Sequence, residues 1–350
     1  MIVAAIGVML SAFGIGCLTT WLLLLSSRKK FRLLDYPNHR SLHHVPVPRV
    51  GGLAIWAGLA AGVAIVLVMF GFRYELVWII TAVSIVGFVS LADDWFDVPI
   101  LLRLVVHIAG GGLLLLGGLS LESIKLPGLE IHVPVAINAI LGVSLIVWMI
   151  NLYNFMDGMD GFAGGMAIFG FGTLGVLAYM AGDEYFALLC VAVTTAVAGF
   201  LVFNFPPARI FMGDGGASVL GLLAAALSLW GDSKGLFPFW VAVLIFSPFV
   251  VDATVTLVRR SIRGEPVWRA HRSHYYQQLV QLGWGHRKTV IAEYALMGLC
   301  AISAVVCTRV SVLAQWAIII FWIFAYIGIM ITVDQLMKQA VGGKQNNEIS

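Results

Sequence analysis

The chain has 350 residues, of which 60% are hydrophobic and 11% are charged. Soluble domains average about 45–50% apolar and about 25% charged residues. The composition therefore excludes an ordinary cytosolic enzyme, a disordered chain and a nucleic-acid-binding domain. The formal net charge of +3 points to no particular partner. Four cysteines lie inside apolar runs and form no CxxC pair, so we expect neither a disulfide framework nor a zinc site.

Stretches free of Asp, Glu, Lys and Arg predict the membrane spans. A spanning helix needs about 20 mostly apolar residues, and ten of the eleven stretches fit directly. The stretch 294–308 is short, but it fits when it is extended back to Thr289. The eleven stretches are 1–27, 50–72, 76–92, 104–121, 131–156, 161–182, 185–208, 215–231, 235–251, 294–308 and 310–333. We therefore predict an all-α polytopic membrane protein with about eleven transmembrane helices. It would comprise one transmembrane domain over 1–335 and a short tail over 336–350.

The positive charges predict the orientation of the chain. A basic cluster at 28–32 follows the first apolar run, which excludes a cleavable signal peptide. This cluster places the N-terminus outside, and eleven crossings then place the C-terminus in the cytoplasm. Of the 21 Lys and Arg residues, 17 fall on the predicted cytoplasmic side. The other four are Arg73, Lys125, Lys234 and Arg309.

The longest predicted outer loop is 120–134. Its Pro127-Gly128 pair lies between two alternating runs, which favours a small hairpin. An irregular surface loop is the open alternative.

Six aspartates follow three of the predicted spans on the cytoplasmic side. Like charges held together repel one another, so we expect a bound cation. A set made only of oxygen donors favours Mg²⁺ or Mn²⁺ over zinc. The alternative for any single aspartate is a helix cap or a solvated turn. The six are Asp93, Asp94 and Asp97 in LADDWFDVP, Asp157 and Asp160 in NLYNFMDGMDG, and Asp214 in FNFPPARIFMGDGGAS.

Arginines and histidines occupy two further loops on the same predicted face. Part of this charge serves orientation or lipid headgroups, but neutral histidines contribute little to either effect. Carboxylates for a metal beside Arg and His for oxyanions are typical of phosphoryl transfer. The residues are His39, Arg40, His43, His44 and Arg49 in the first loop, and Arg263, Arg269, His271, Arg272 and His274 in RRSIRGEPVWRAHRSHYYQQL.

Five motifs together resemble the polyprenyl-phosphate N-acetylhexosamine-1-phosphate transferases. They span about 35–274 and read DYPNHR with HxxPVPRVGG, LADDWFD, NLYNFMDGMDG, FNFPPARIFMGDGGAS and HRSHYYQQL. The resemblance is to the bacterial branch that starts O-antigen or capsule, and the family includes the phospho-MurNAc-pentapeptide translocase. It implies transfer of N-acetylhexosamine-1-phosphate from a UDP-sugar to undecaprenyl phosphate, with release of UMP. It also implies Mg²⁺ or Mn²⁺, a multi-pass place in the bacterial inner membrane, membrane lipids as surroundings and no nucleic acid, and leaves a homodimer open.

The resemblance also implies roles for individual residues. The expected catalytic residues are Asp93, Asp94, His271 and His274, and the expected metal ligands are Asp214, Asp157 and Asn154. The expected substrate-binding residues are Asn154, Asp157, Asp160, Asn204, Arg49, Arg209, Arg269 and Arg272. Two departures stand out. Ser41 follows Arg40 where the family often has lysine, and HRSHYYQQL replaces the three-histidine form of the peptidoglycan enzyme.

Several alternatives stay open at this point. Asp93 or Asp94 could accept a proton, position the lipid head or act as a nucleophile. We favour direct attack by the lipid phosphate, because a carboxylate would have to approach an anionic diphosphate unaided. The sugar, whether GlcNAc, FucNAc, QuiNAc or another, is undetermined. A transporter or flippase for an anionic solute is the competing class. Such proteins usually carry ionisable groups near the bilayer midplane on paired repeats.

Overall fold

The structure is a computed structural model that describes residues 2–30, 34–37, 42, 45–266 and 271–349, with the side chains of 27–30 and 341–349 excepted. Within these residues the chain is almost entirely helical. The helices are α1 (Ile2–Lys30), α2 (Gly51–Phe70), α3 (Tyr74–Phe96), α4 (Ile100–Leu116), α5 (Val135–Met156), α6 (Phe162–Met180), α7 (Glu184–Asn204), α8 (Gly213–Ser233), α9 (Phe239–Ile245), α10 (Ser247–Ile262), α11 (Tyr275–Leu279), α12 (Gly285–Cys307) and α13 (Val312–Ile349). The strands are β1 (Leu34–Asp35), β2 (Val47–Pro48), β3 (Ser123–Leu126) and β4 (Leu129–His132).

The helices confirm a multi-pass membrane protein but not the count of eleven spans. Nine helical segments in the described residues are long and apolar enough to cross a bilayer, or ten if α9 and α10 form one span. The remaining predicted span is α4, which has only 17 residues. Every predicted apolar stretch therefore corresponds to a helix, but not every one of these helices is long enough to cross a bilayer by itself.

The predicted span over 235–251 is not one continuous helix. The chain bends by 81° between α9 and α10, and Pro248 lies in the first turn of α10. Proline has no N–H for the preceding turn, so a helix readily begins there and does not run through it. The second helix then continues to Ile262, well past the predicted end.

The helical region before Cys307 also begins earlier than predicted. Helices α11 and α12 are joined by a π-helical turn at Val280–Trp284. Gly283 there has a φ of 91°, a left-handed conformation that favours glycine. Part of the predicted polar loop is therefore helical and packs against the bundle.

Helix α8 is the central helix of the bundle. In its most apolar window 89% of the residues are buried, compared with 22% for α1 and for α13. Small residues allow this packing. A Cβ on Gly52 would lie 2.5 Å from the Gly216 nitrogen, and one on Gly221 would lie 2.5 Å from the Met149 carbonyl oxygen. The N-terminus of α8 carries Asp214, so this aspartate begins the most buried helix.

The two strand pairs lie in connecting segments. Strands β3 and β4 pair antiparallel around Pro127-Gly128, with Leu126 opposite Leu129, which confirms the predicted hairpin. Strands β1 and β2 pair antiparallel and close the first loop.

Ion pairs join the loops at the hairpin end of the bundle. Three of the four cations predicted for the outer side are matched there by an acid within 4.0 Å. Arg73 pairs with Asp183 at 3.1 Å, Lys125 with Asp232 at 3.2 Å and Lys234 with Glu75 at 3.7 Å.

Candidate active site

The end of α3 and the start of α8 meet through the carboxylate of Asp94. The backbone N–H groups of Asp214 and Gly215 each donate to Asp94, at 3.0 Å and to different oxygens. These N–H groups belong to the first turn of a helix and have no partner within it. A buried carboxylate also complements the positive end of the helix dipole. Asp94 is only 4% exposed, so it caps α8 and thereby positions Asp214.

Gly213 is required for this close approach. Its φ of 70° is left-handed, and a Cβ there would lie 2.7 Å from Asp94 Oδ2. Arg49 reaches the same place from the first loop, because its Nη2 donates to the Asp94 carbonyl oxygen at 2.8 Å. The predicted substrate contact of Arg49 stays a prediction, and in this structure Arg49 joins the first loop to α3.

Arg103 of α4 connects two of the predicted acids. Its guanidinium forms a short ion pair with Asp93 and lies 3.4 Å from Asp214 Oδ2. Asp93 also accepts from the Val98 backbone N–H at 2.7 Å. Asp93 is buried, whereas the Asp214 side chain is 42% exposed. Of these two acids, Asp214 is the one that a ligand reaches.

A second set of partly exposed polar side chains lies at the end of α5. Asn154 forms a hydrogen bond with the hydroxyl of Ser218 at 3.0 Å. Ser218 is four residues after Asp214, so both share one face of α8. Asp157 is partly exposed, and its carboxylate has no hydrogen-bond partner among the described residues. Although Asp157 keeps some exposed surface, the protein packed around its carboxylate, and then the charges of Asp214, Asp94 and Asp160, raise the pKa of Asp157 well above its usual range. A cation would relieve this repulsion.

The loop after α5 is fastened by two buried polar side chains. Asn204 accepts from the Gly161 N–H at 3.0 Å and donates to the Ile210 carbonyl at 2.8 Å. Asp160 accepts from the Ala208 N–H at 2.9 Å. Asn204 is 3% exposed and Asp160 is 8% exposed. The structure thus uses both to connect the loops of 157–161 and 206–212, and their predicted contact with substrate stays a prediction.

Two helices from the C-terminal half, α11 and α12, pack against the loop that follows α5. The Nδ1 of His286 in α12 lies 2.9 Å from Asp160 Oδ1. The hydroxyl of Tyr276 in α11 donates to the Phe155 carbonyl at 3.2 Å. A Cβ on Gly158 would lie 2.3 Å from that hydroxyl. The glycine between the two loop aspartates therefore lets the HRSHYYQQL segment pack onto their loop.

Asp252 organises the predicted histidine segment. Its two oxygens accept from the backbone N–H groups of Tyr275 and Tyr276, at 3.0 Å and 3.1 Å, and so cap α11. The Nδ1 of His274 lies 3.2 Å from Asp252 Oδ1, and His274 is 2% exposed. His274 is therefore held inside the protein.

The His271 ring packs against His274, with ring centroids 4.8 Å apart and planes tilted by 35°, and the Nδ1 of His271 lies 2.9 Å from the hydroxyl of Ser273. Burial, followed by the charges of His274 and Arg260, lowers the pKa of His271 to about 4. It is neutral at pH 7. Of the two predicted catalytic histidines, His271 is the more accessible.

The remaining predicted arginines are spread over the same end. Arg209 is exposed and lies over the Phe203 ring, with its Cζ 5.3 Å from the centroid. Arg272 is exposed and lines a basic cavity beside α10 and α13. Arg269 lies outside the described residues. The same is true of His39, Arg40, Ser41, His43 and His44 of the first loop.

Three residues of the site were missed from the sequence: Arg103, Tyr276 and His286. Arg103 was counted only as an orienting charge, and His286 was not singled out. The only local signal was their polar character beside apolar spans, because their partners lie 10 to 126 positions away in sequence.

The open oxygen donors fit a divalent metal ion. Asp157, Asp214 and Asn154 supply two carboxylates and one amide. Mg²⁺ is commonly held by one or two carboxylates together with water and substrate phosphates. Within the described residues, no group of three or more His, Cys, Asp or Glu side chains is arranged to hold a metal by itself. The donor set therefore suits an ion that is shared with a phosphate ligand.

Comparison with known proteins shows what this arrangement of aspartates is similar to. Residues 76–232, which contain Asp93, Asp94, Asp157, Asp160 and Asp214, match the family described as glycosyl transferase family 4. The resemblance deduced from the motifs is thereby confirmed.

Curated relatives align over most of the chain. A probable undecaprenyl-phosphate N-acetylglucosaminyl 1-phosphate transferase of Bacillus subtilis is 29% identical, covering 89% of this chain and 87% of the relative. A decaprenyl-phosphate N-acetylglucosaminephosphotransferase of Mycolicibacterium smegmatis is 28% identical, covering 93% and 87%. An undecaprenyl-phosphate alpha-N-acetylglucosaminyl 1-phosphate transferase of Yersinia pestis is 26% identical, covering 85% and 83%. This chain therefore aligns with these relatives over most of its own length and most of theirs.

Proposed function

We propose that this chain transfers N-acetylhexosamine-1-phosphate from a UDP-sugar to undecaprenyl phosphate and releases UMP. The observation that carries the proposal is the pair of partly exposed carboxylates, Asp157 and Asp214, at one end of an apolar bundle. A water-soluble donor and a lipid acceptor can meet only at such a place. The names of the relatives support the polyprenyl phosphate acceptor and favour GlcNAc as the sugar.

The site would hold Mg²⁺ or Mn²⁺ through Asp157, Asp214 and Asn154. When bound, the ion would neutralise the donor diphosphate and the developing charge of the leaving UMP. Arg103 lies beside Asp214 and adds a fixed positive charge at the same end. Asp94 and Asn204 hold the backbone around these groups, so the ligands are arranged before substrate arrives.

The contacts that already occupy the carboxylates of Asp93 and Asp94 support direct attack by the lipid phosphate, without a covalent intermediate on the enzyme. Both Asp94 oxygens already accept backbone N–H groups, and Asp93 is bound by Arg103 and Val98. Neither is a free nucleophile. A phosphate monoester has a second pKa of about 6 and is largely dianionic at pH 7, so it needs no strong base. In the proposed step, an oxygen of the lipid phosphate forms a bond to the sugar-linked phosphorus, and the bond from that phosphorus to UMP breaks.

The proposed product is the first lipid-linked sugar of O-antigen or a related surface polysaccharide. The enzyme would work at the inner membrane of a bacterium, with the acid-bearing end in the cytoplasm. This orientation rests on the excess of Lys and Arg in the loops predicted for the cytoplasmic side.

The direct test is UMP release from UDP-GlcNAc by the purified full-length chain with undecaprenyl phosphate, with and without Mg²⁺. UDP-FucNAc and UDP-QuiNAc in parallel would identify the sugar. Asp214→Asn and Asp157→Asn should each nearly abolish turnover and raise the Mg²⁺ concentration that is required. Asp97→Asn is the control, because Asp97 is an exposed acid just past α3. Activity without any divalent ion would contradict the ligand assignment.

The same assay tests the transporter alternative. The broken pair α9 and α10 is a feature that some transporters share. Within the described residues it is the one bent pair found, and Asp252 after the bend caps α11. Absence of UMP release with every sugar would remove the proposed reaction.

A further inference from the structure

A basic cavity lies outside the acid-bearing site, between α10, the segment after 271 and α13. Its volume is about 550 Å³. We call it the arginine pocket. Its charged lining residues are Arg259, Arg260, Arg263, Arg272, Lys338 and Asp334.

The cations of the arginine pocket exceed its acids even after every ion pair is counted. Arg259 pairs with Asp334 at 2.8 Å, and Arg260 pairs with Glu265 at 2.8 Å. The other three cations, which are Arg263, Arg272 and Lys338, have no acid within 4.0 Å among the described residues. All three are exposed. The positive charge is therefore uncompensated and available to a ligand.

These three cations face one cavity, which distinguishes them from charges that only orient the chain in the membrane. An orienting charge needs to lie on the correct side of the membrane, and nothing requires it to face a shared cavity. Here three separate parts of the chain contribute: Arg263 follows α10, Arg272 precedes α11 and Lys338 lies on α13. Guanidinium groups donate in a fork that matches the oxygens of phosphate.

We propose that the arginine pocket binds the phosphate group of an anionic ligand, separately from the acid-bearing site. The ligand's phosphate oxygens accept from Arg263 and Arg272, and Lys338 adds a third charge; this role takes the place of the substrate contact expected of Arg272. One source is an anionic phospholipid, because α10 and α13 are apolar helices whose polar ends border the pocket, and basic pockets of this kind bind headgroups. The other source is free phosphate from solution.

Native mass spectrometry of the purified full-length chain tests the proposal without using turnover. The probes are phosphatidylglycerol and, as the neutral-headgroup reference, phosphatidylcholine of the same chain length. The pocket variants are Arg263→Gln and Lys338→Gln. The matched control is Arg287→Gln, an exposed arginine that does not line the pocket. A second arm adds inorganic phosphate against chloride at equal ionic strength.

Each lost cation near a membrane surface should weaken phosphatidylglycerol binding about fivefold, from about 1 kcal/mol per charge. Arg287→Gln should bind like the unaltered chain. If inorganic phosphate displaces the lipid while chloride does not, the pocket also takes phosphate from solution; if it does not, the source is the lipid. Equal losses in pocket and control variants would overturn the proposal, and so would equal retention of both lipids by the unaltered chain. Since binding is read directly, failure here is distinct from failure of the transferase reaction.

Discussion

Replacing Asp94 by alanine tests whether this aspartate positions the site or performs chemistry. In the structure its carboxylate accepts the N–H groups of Asp214 and Gly215 at 3.0 Å each. Alanine would leave both donors buried and unsatisfied. An orphaned buried donor costs about 1–3 kcal/mol, so the start of α8 should lose about 2–6 kcal/mol of local stability. Asparagine keeps one acceptor oxygen and should lose about half as much.

Hydrogen exchange of the amides at 216–220 measures this loss directly. A cost of 2 kcal/mol, the lower bound, should accelerate exchange roughly 25-fold where reclosing is fast and the rate follows the opening equilibrium, at about 1.4 kcal/mol per tenfold. Asp97→Asn is the control, because Asp97 is exposed and its left-handed φ of 50° is tolerated by asparagine. If Asp94→Ala leaves these amides as protected as the control does but abolishes transfer, the capping role is refuted and a chemical role for the carboxylate is favoured.

Three further predictions concern other contacts. Gly158→Ala should abolish transfer, because a Cβ would lie 2.3 Å from the Tyr276 hydroxyl; adding Tyr276→Phe should recover part of the rate, and no recovery would contradict the clash. Asp232→Ala should lower the thermal midpoint in detergent more than Lys125→Ala, because Asp232 also accepts the Phe239 N–H at 3.0 Å; equal shifts would count against this. His271 has a pKa lowered from 6.5 to about 4, so its stabilising contribution is full above about pH 6.5 and is lost as pH falls towards about 4; a His271→Gln variant should lose less stability over that window, and parallel curves would disprove it.

The contrast between Asp94 and Asp214 shows what can and cannot be predicted from the sequence. Both stand at helix ends within acidic motifs, and nothing local separates them. In the fold one is buried as a cap and the other is 42% exposed. Their contact joins residues 120 positions apart, so it depends on how α3 packs against α8. The same limit applies to His274, whose burial against Asp252 depends on the fit of α11 to α10.

The sequence by itself determined the membrane class, the order of the apolar helices, the hairpin turn at Pro127-Gly128 and the grouping of aspartates at helix ends. These features are local, because burial in lipid is read from runs of about 20 residues and turns from a few residues. Only the tertiary structure decided the bend between α9 and α10, the central place of α8 and the division of the acids into buried supports and open ligands. A carboxylate becomes one or the other according to the donors that packing brings to it. Those donors, from Arg103 to the first turn of α8, come from distant parts of the chain.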